Sequence, residues 1–300
     1  MKNIFENLTV VIVSFNSDYY LNIQLKKLKK FKVIVVENSN NKFLKTKIEK
    51  KYKNVNLILS GSNIGFGSAV NLAIRKSSSK FYLIINPDCE FNIKTIYELY
   101  TTINNNRNIS VISPSITRDK KNRYTNRYGY FISTLFKKQY FENSLLKQVD
   151  FIIGHFFIIS ENTFKKIGMF DQNIFLSYDE IDLQKRMQKN NLKVFVHKKT
   201  SVKHLEMMSA LPKNENSKFF HEIIKCHKWH LAWSKFYYYQ KNYNYLISFV
   251  INTIFIIKNL IKFLYFFIKG EEEKKEISLS FIKGSLSSFL NKKSFYRPKI

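Results

Sequence analysis

Residues 81–91 read FYLIINPDCEF: five apolar residues, then Asn86, Pro87 and Asp88, then a second short apolar stretch. An unbroken apolar run of that length, closed by a proline, is the pattern of a strand covered on both faces. Asp88 has two readings. Asn-Pro and Asp are ordinary turn formers, and a carboxylate held at a strand end is also placed to meet a ligand.

The same pattern extends in both directions. Upstream stand LTVVIVSF (8–15), a helical stretch YYLNIQLKKLKK (19–30), KVIVVEN (32–38), a Lys-rich helix to Tyr52, VNLILS (55–60), the loop GSNIGFG (61–67) and the helix SAVNLAIRKS (68–77). Downstream come the helix IKTIYELYTTINN (93–105) and ISVISPS (109–115). Strands rich in Val and Ile alternating with helices predict βαβ units, hence an α/β fold with a mostly parallel sheet and helices on both faces. LTVVIV is too short for a signal-peptide core and reads as the first strand. Ligands of such sheets bind beyond the carboxyl ends of the strands. That rule puts Ser14–Asn16, Glu37–Asn38, the glycine loop and Asn86–Asp88 on one rim.

Residues 115–148 lack clear periodicity and read as a mobile connection or a short hairpin. VDFIIGHFFIIS (149–160) predicts a strand with Gly154 in its middle, followed by a short helix (161–168), a loop, the helix DEIDLQKRMQKN (179–190) and two strands, KVFVH (193–197) and TSVKH (200–204). On that last helix Asp179, Asp182 and Arg186 share a face, with Glu180 about 100° away. The ordinary reading is dipole chemistry, since acids favour a helix N-terminus. From about residue 213 the chain reads as mainly helical, giving two regions, 1–212 and 213–300.

Composition excludes several classes. The 300 residues carry a net charge of +28. The basic residues are overwhelmingly Lys and are spread along the chain, whereas base reading and phosphate forking lean on Arg, so no nucleic-acid partner is expected. An anionic lipid surface or a nucleoside diphosphate fits that charge. Cys89 and Cys226 make neither a disulfide framework nor a zinc site and suit a reducing cytosol. SFNSDYY follows the first strand where a dinucleotide fold needs GxGxxG, and no GxxxxGK[ST] occurs.

Taken in order, VVIVSFNS, VIVVENS, SNIGFGSAVNLAI, FYLIINPDCEF, VDFIIGHFFII, GMFDQNIFLSYDEIDLQKRM and VKHLEMMS resemble the GT-A glycosyltransferases of family 2, especially their rhamnosyltransferase-like branch. The resemblance covers roughly residues 8–209. It implies a nucleotide site formed by Ser14, Asn16, Glu37, Gly65, Gly67, Asn71 and Asn86, with Glu37 standing where the family usually has Asp. It implies that Asp88 and His204 ligate a divalent metal, Mg²⁺ or Mn²⁺, because a hard cation neutralises a diphosphate leaving group. Glu180 matches the family's catalytic base, with Asp179 as the alternative; Gly154, His155 and Asp182 fall at the donor and acceptor pocket, Asp182 with Arg186 as support. The implied activity is inverting transfer of a rhamnose-like or hexose sugar from a dTDP- or UDP-sugar to a glycan or lipid-linked glycan in cell-surface polysaccharide synthesis. The alternative is a catalytically silent binding or scaffold subunit.

The last third holds an apolar run from Tyr245 to Ile268, as long as the roughly 20 residues a membrane span needs, but Lys258, Asn259 and Lys262 interrupt it. Ser248, Asn252, Asn259, Lys262 and Lys269 form a narrow polar stripe at helical spacing, as in a helix lying in a membrane interface. Packing on its own domain or on a second subunit, in a homo-oligomer, is the ordinary reading. The expected location is the cytoplasm, peripheral on the cytoplasmic face of the inner membrane, with an anionic membrane surface as partner.

Overall fold

A computed structural model of the chain describes residues 2–118, 140–205 and 217–297. Helix α1 (Lys2–Asn7) leads into β1 (Leu8–Ser14), followed by α2 (Asp18–Lys27), β2 (Lys32–Glu37), α3 (Lys42–Lys51), β3 (Val55–Leu59), α4 (Phe66–Arg75) and β4 (Phe81–Ile85). Next come β5 (Cys89–Glu90), α5 (Ile93–Asn105), β6 (Val111–Arg118), β7 (Leu146–Val149), β8 (Phe156–Ser160), α6 (Glu161–Lys166), α7 (Asp179–Lys189) and β9 (Val194–His204). Three long helices follow: α8 (Ser217–Asn242), α9 (Tyr245–Ile268) and α10 (Glu272–Phe289).

The chain divides into two compact units. One comprises the described residues of Met1–Ile64, Ser68–Phe170 and Leu183–Ala210; the other comprises those of Gly65–Gly67, Asp171–Asp182 and Leu211–Ile300. The expected boundary at 212/213 lies outside the described residues.

In the first unit β1 pairs in parallel with β2 and β4, and β2 with β3. Every residue of β4 is buried, as its unbroken apolar sequence requires. The sheet then turns mixed, in the order β3-β2-β1-β4-β8-β6-β9-β5, with β7 alongside β9. Strand β8 lies antiparallel to both β4 and β6.

Two sequence expectations are corrected here. VDFIIGHFFIIS is not one strand: β7 ends at Val149 and β8 begins at Phe156. Between them the buried backbone of Ile152 donates its N–H to Gln184 Oε1 (2.6 Å) and accepts from Gln184 Nε2 (2.9 Å), so a side-chain amide replaces the ladder. KVFVH and TSVKH, in turn, belong to one strand, β9. Its register with β6 slips between Pro114 and Ser115, where proline offers no N–H and residues 198–200 loop out. Of the connection read across 115–148, residues 119–139 lie outside the described residues.

In the second unit α8 packs against both α9 and α10. Gly284 on α10 abuts the backbone of Trp229 on α8, where a Cβ would come within 2.2 Å of the Trp229 carbonyl. The segment after α10 clasps α8. Trp233 Nε1 donates to Lys292 O (2.9 Å), and His230 lies between Ser294 Oγ and Tyr296 O, its pKa pushed down to about 3 by burial.

Candidate active site

The carboxyl ends of β1, β2 and β4 carry the first group of candidate residues. Ser14 and Glu37 are register partners, and Asn38 N–H donates to Ser14 O (2.8 Å). Asn16 is exposed just beyond, in the left-handed region at φ 52°. Glu37 is fully buried. Burial raises its carboxyl above the ordinary range, opposed by hydrogen bonds from the Ser39 hydroxyl and the Ser39 N–H. A raised carboxyl pKa means that the folded chain holds the proton more tightly than the unfolded one. Its contribution to stability is therefore present below the ordinary glutamate range and is lost as pH rises through the folded value. Glu37→Gln is expected to be more stable than the native chain at pH 7–8, the gap closing toward pH 4. Urea unfolding across that range checks the sign.

Asn86, Pro87 and Asp88 form a turn closed by Cys89 N–H on Asn86 O (3.2 Å). The turn is clamped by Gln24, a buried residue of α2 whose Nε2 donates to Pro87 O and Cys89 O, both at 2.7 Å. Sequence reading missed Gln24. The available signal was a polar residue between the inward-facing Leu21 and Leu25.

Asp88 is 1% exposed and His204 7%. They meet because β5 and β9 pair Cys89 with His204, and Leu205 N–H donates to Asp88 O (3.1 Å). His204 Nε2 lies 3.2 Å from Asp88 Oδ1. The His155 ring stacks on His204 with centroids 3.7 Å apart and planes 10° from parallel. His155 Nδ1 is 3.0 Å from Asn86 Nδ2, and Asn86 N–H donates to His155 O (2.9 Å). Gly154, buried in the turn before β8, brings His155 to this cluster. The fold thus gathers Asn86, Asp88, His155 and His204, which are scattered over more than 110 positions of sequence.

A buried carboxylate oxygen facing an imidazole nitrogen suits a divalent cation. Buried His204 Nδ1 has no hydrogen-bond partner among the described residues. Among those residues no group of three His, Cys, Asp or Glu side chains is arranged to hold a metal. The pair by itself offers two donors, a carboxylate oxygen and an imidazole nitrogen.

Asn71 is fully buried and uses its amide as a strand would, donating to Phe170 O (2.9 Å) and accepting from Phe170 N–H (3.0 Å). It thereby fixes the backbone of Phe170.

The second unit carries the remaining candidates. Gly65 has φ 84°, and a Cβ there would fall 2.3 Å from Phe175 O. Phe66 N–H donates to the same carbonyl (3.3 Å), and Gly67 lies in the first turn of α4. Close approach of the Phe175 backbone explains Gly65 without any ligand. Gly65→Ala is expected to cost about 2 kcal/mol or more of stability, from the collision and the left-handed backbone together, as a fall in thermal midpoint.

Ser177 and Tyr178, both in the left-handed region, lead into α7. Asp179 is buried at that helix N-terminus, and burial first, then the Glu180 charge, lifts its carboxyl well above the ordinary range. Glu180 is only half-buried. Asp182 is fully buried and engaged by Lys241 Nζ (2.9 Å) and Asn242 Nδ2 (3.1 Å), all within the second unit. Lys241 also bridges to Asp171, with Tyr237 donating to the same carboxylate. Arg186, in the first unit, donates to the carbonyls of Ile167 and Met169.

A sheet whose parallel half presents Ser14, Glu37 and Asp88 at its carboxyl ends, continued by a mixed half that supplies His204, is the frame of a GT-A nucleotide-sugar transferase. The family model described as Glycosyl transferase family 2 matches residues 9–168, more than half of the chain. The chain belongs to that family. It is 29% identical over 211 residues to the low-salt glycan biosynthesis hexosyltransferase Agl10 of Haloferax volcanii. That alignment takes in 64% of this chain and 65% of the relative, so it spans less than two thirds of the relative's length. Among solved structures the fold is similar to the mannosyltransferase PcManGT of Pyrobaculum calidifontis, in complex with GDP-Man and Mn²⁺ (TM-score 0.56, 11% identity, 96% of this chain and 88% of that one). It is also similar to TarS 1–349 of S. aureus (TM-score 0.52, 15% identity, 97% and 93%).

Proposed function

We infer that this glycosyltransferase moves a hexose-type sugar, rhamnose included, from a dTDP- or UDP-sugar to a hydroxyl of a glycan or lipid-linked glycan, with inversion at the anomeric carbon. The observation that carries this reading is the buried Asp88–His204 pair at the end of the parallel half of the sheet. A hexosyltransferase relative named for glycan biosynthesis and a fold neighbour in complex with GDP-Man and Mn²⁺ support it. A divalent cation held by Asp88 and His204 would neutralise charge on the departing diphosphate. Asn86 and the stacked His155 fix the geometry of that pair. Glu37, with Ser14 and Asn16, receives the nucleobase. Glu180 takes the proton from the acceptor hydroxyl as that oxygen attacks the sugar opposite the nucleotide, and with one base and no separate nucleophile the configuration inverts. Gly154 leaves room for the sugar. A lipid-linked acceptor would place the work at the cytoplasmic face of a membrane.

Thermal shift of the full chain against nucleotide-sugars, with and without Mn²⁺ or Mg²⁺, tests this reading. A metal-dependent stabilisation by one donor, with slow donor hydrolysis lost in Glu180→Gln, is expected. Absence of nucleotide affinity under all conditions would replace it with the scaffold reading.

A further inference from the structure

Helix α9 is built inside out. Its buried residues are polar: Ser248 donates to Phe236 O (2.9 Å), and Asn252 Nδ2 donates to Ser248 O (2.6 Å), both on the side facing α8. Most of its exposed residues are apolar, among them Leu246 at 69%, Ile254 at 61% and Ile268 at 82%. The stripe that the sequence suggested for the water side is thus divided: Ser248 and Asn252 form the seam with the protein, while Lys262 and Lys269 stay exposed.

At about 100° per residue, Leu246, Val250, Ile254, Ile257, Ile261 and Leu264 fall within an arc of about 80°, directly opposite the seam. Lys258, Lys262 and Lys269 fall within about 40° on one flank between the outer face and the seam. The helix carries no Asp or Glu. By length and composition it is apolar enough to cross a membrane, and little of it is buried within the chain.

From this pattern we propose that the outer face of α9 is an in-plane membrane anchor that sinks into one leaflet, with the three flanking lysines on anionic lipid phosphates. Two physical reasons favour lipid over a second copy of the chain. An antiparallel two-fold pairing of two such faces would bring their lysine flanks together with no acid on the helix to offset them, whereas a leaflet lets lysine stems lie along the apolar surface and put their ammonium groups among phosphates. Lying in the plane is favoured over crossing because the seam fastens α9 to α8 and α10, whose Lys225, Glu222, Glu272 and Glu273 would be drawn toward hydrocarbon.

This surface is independent of the transferase reading, and its test needs no donor or acceptor. The full chain is sedimented with vesicles of phosphatidylcholine alone and with added phosphatidylglycerol. Binding to the anionic vesicles is expected. It should fall at least about tenfold in the triple variant Ile254→Glu, Ile257→Glu, Ile261→Glu, whose side chains project outward, so that circular dichroism and thermal midpoint stay near native. Lys258→Gln, Lys262→Gln and Lys269→Gln together should reduce the preference for anionic lipid by about a hundredfold. Fluorophores on cysteines introduced singly at 250, 257 and 264 should be quenched equally by lipids brominated at one depth. No binding, or binding unchanged by the glutamate variant, overturns the anchor; quenching graded along the helix overturns the in-plane placement; a dimer in solution that the glutamate variant dissolves replaces lipid with a second copy.

Discussion

Asp88→Asn is expected to lower kcat/KM for sugar transfer by about a thousandfold, the scale of removing one group that stabilises charge developing in a transition state. The reason is geometric as much as electrostatic. Asp88 is almost fully buried and lies 3.2 Å from His204 Nε2, so the pair forms a dry, oriented two-donor set at the end of β4. Asn has the same outline and preserves the turn that Gln24 clamps through Pro87 O and Cys89 O, so the fold should survive. What is lost is the negative charge that a divalent cation needs. Calorimetric titration with nucleoside diphosphate gives a readout separate from turnover: the increment in affinity conferred by Mn²⁺ should disappear, while metal-free affinity stays near native. Turnover close to native, or an undiminished Mn²⁺ increment, would remove Asp88 from the metal site. His204→Ala should weaken the same increment, because it removes the second donor.

Glu180→Gln should reduce kcat by about 10²–10⁴-fold at nearly unchanged donor affinity, the range for a general base. The choice of Glu180 over Asp179 rests on burial. Asp179 is sealed at the N-terminus of α7, and its carboxyl is held well above the ordinary range by desolvation and by the neighbouring charge. It therefore keeps its proton to higher pH, whereas Glu180 is half-open to solvent and accessible to an acceptor. Asp179→Asn then separates the roles. It should retain substantial turnover, because the neutral amide matches the protonated carboxyl that burial favours at that position. A retained rate in Glu180→Gln together with a silent Asp179→Asn would exchange the two assignments.

Much of the first unit was legible because its signals are local. Val- and Ile-rich runs, Pro87 at the end of β4 and helices of 10 to 13 residues between strands define βαβ units without distant information. The order of motifs along 8–209 likewise led to the family. The mixed half was less legible, because a strand's direction depends on which neighbour it joins. The seam between VDFII and HFFIIS follows from Gln184, more than thirty positions away, supplying the hydrogen bonds of Ile152.

By itself the sequence determined where strands end, and hence which residues stand at the carboxyl rim: Ser14, Glu37 and Asp88. Tertiary structure alone decided which distant residues meet. Gln24 reaches Pro87 across 63 positions, Asn71 reaches Phe170 across 99, and Asp182 reaches Lys241 across 59. It also decided which way α9 faces, since the amphipathic pattern fixes a polar stripe and an apolar one but not which of them meets the protein. Hydrogen bonding to α8 drew Ser248 and Asn252 inward, because a buried polar group needs a partner and a periodic sequence cannot say where that partner lies.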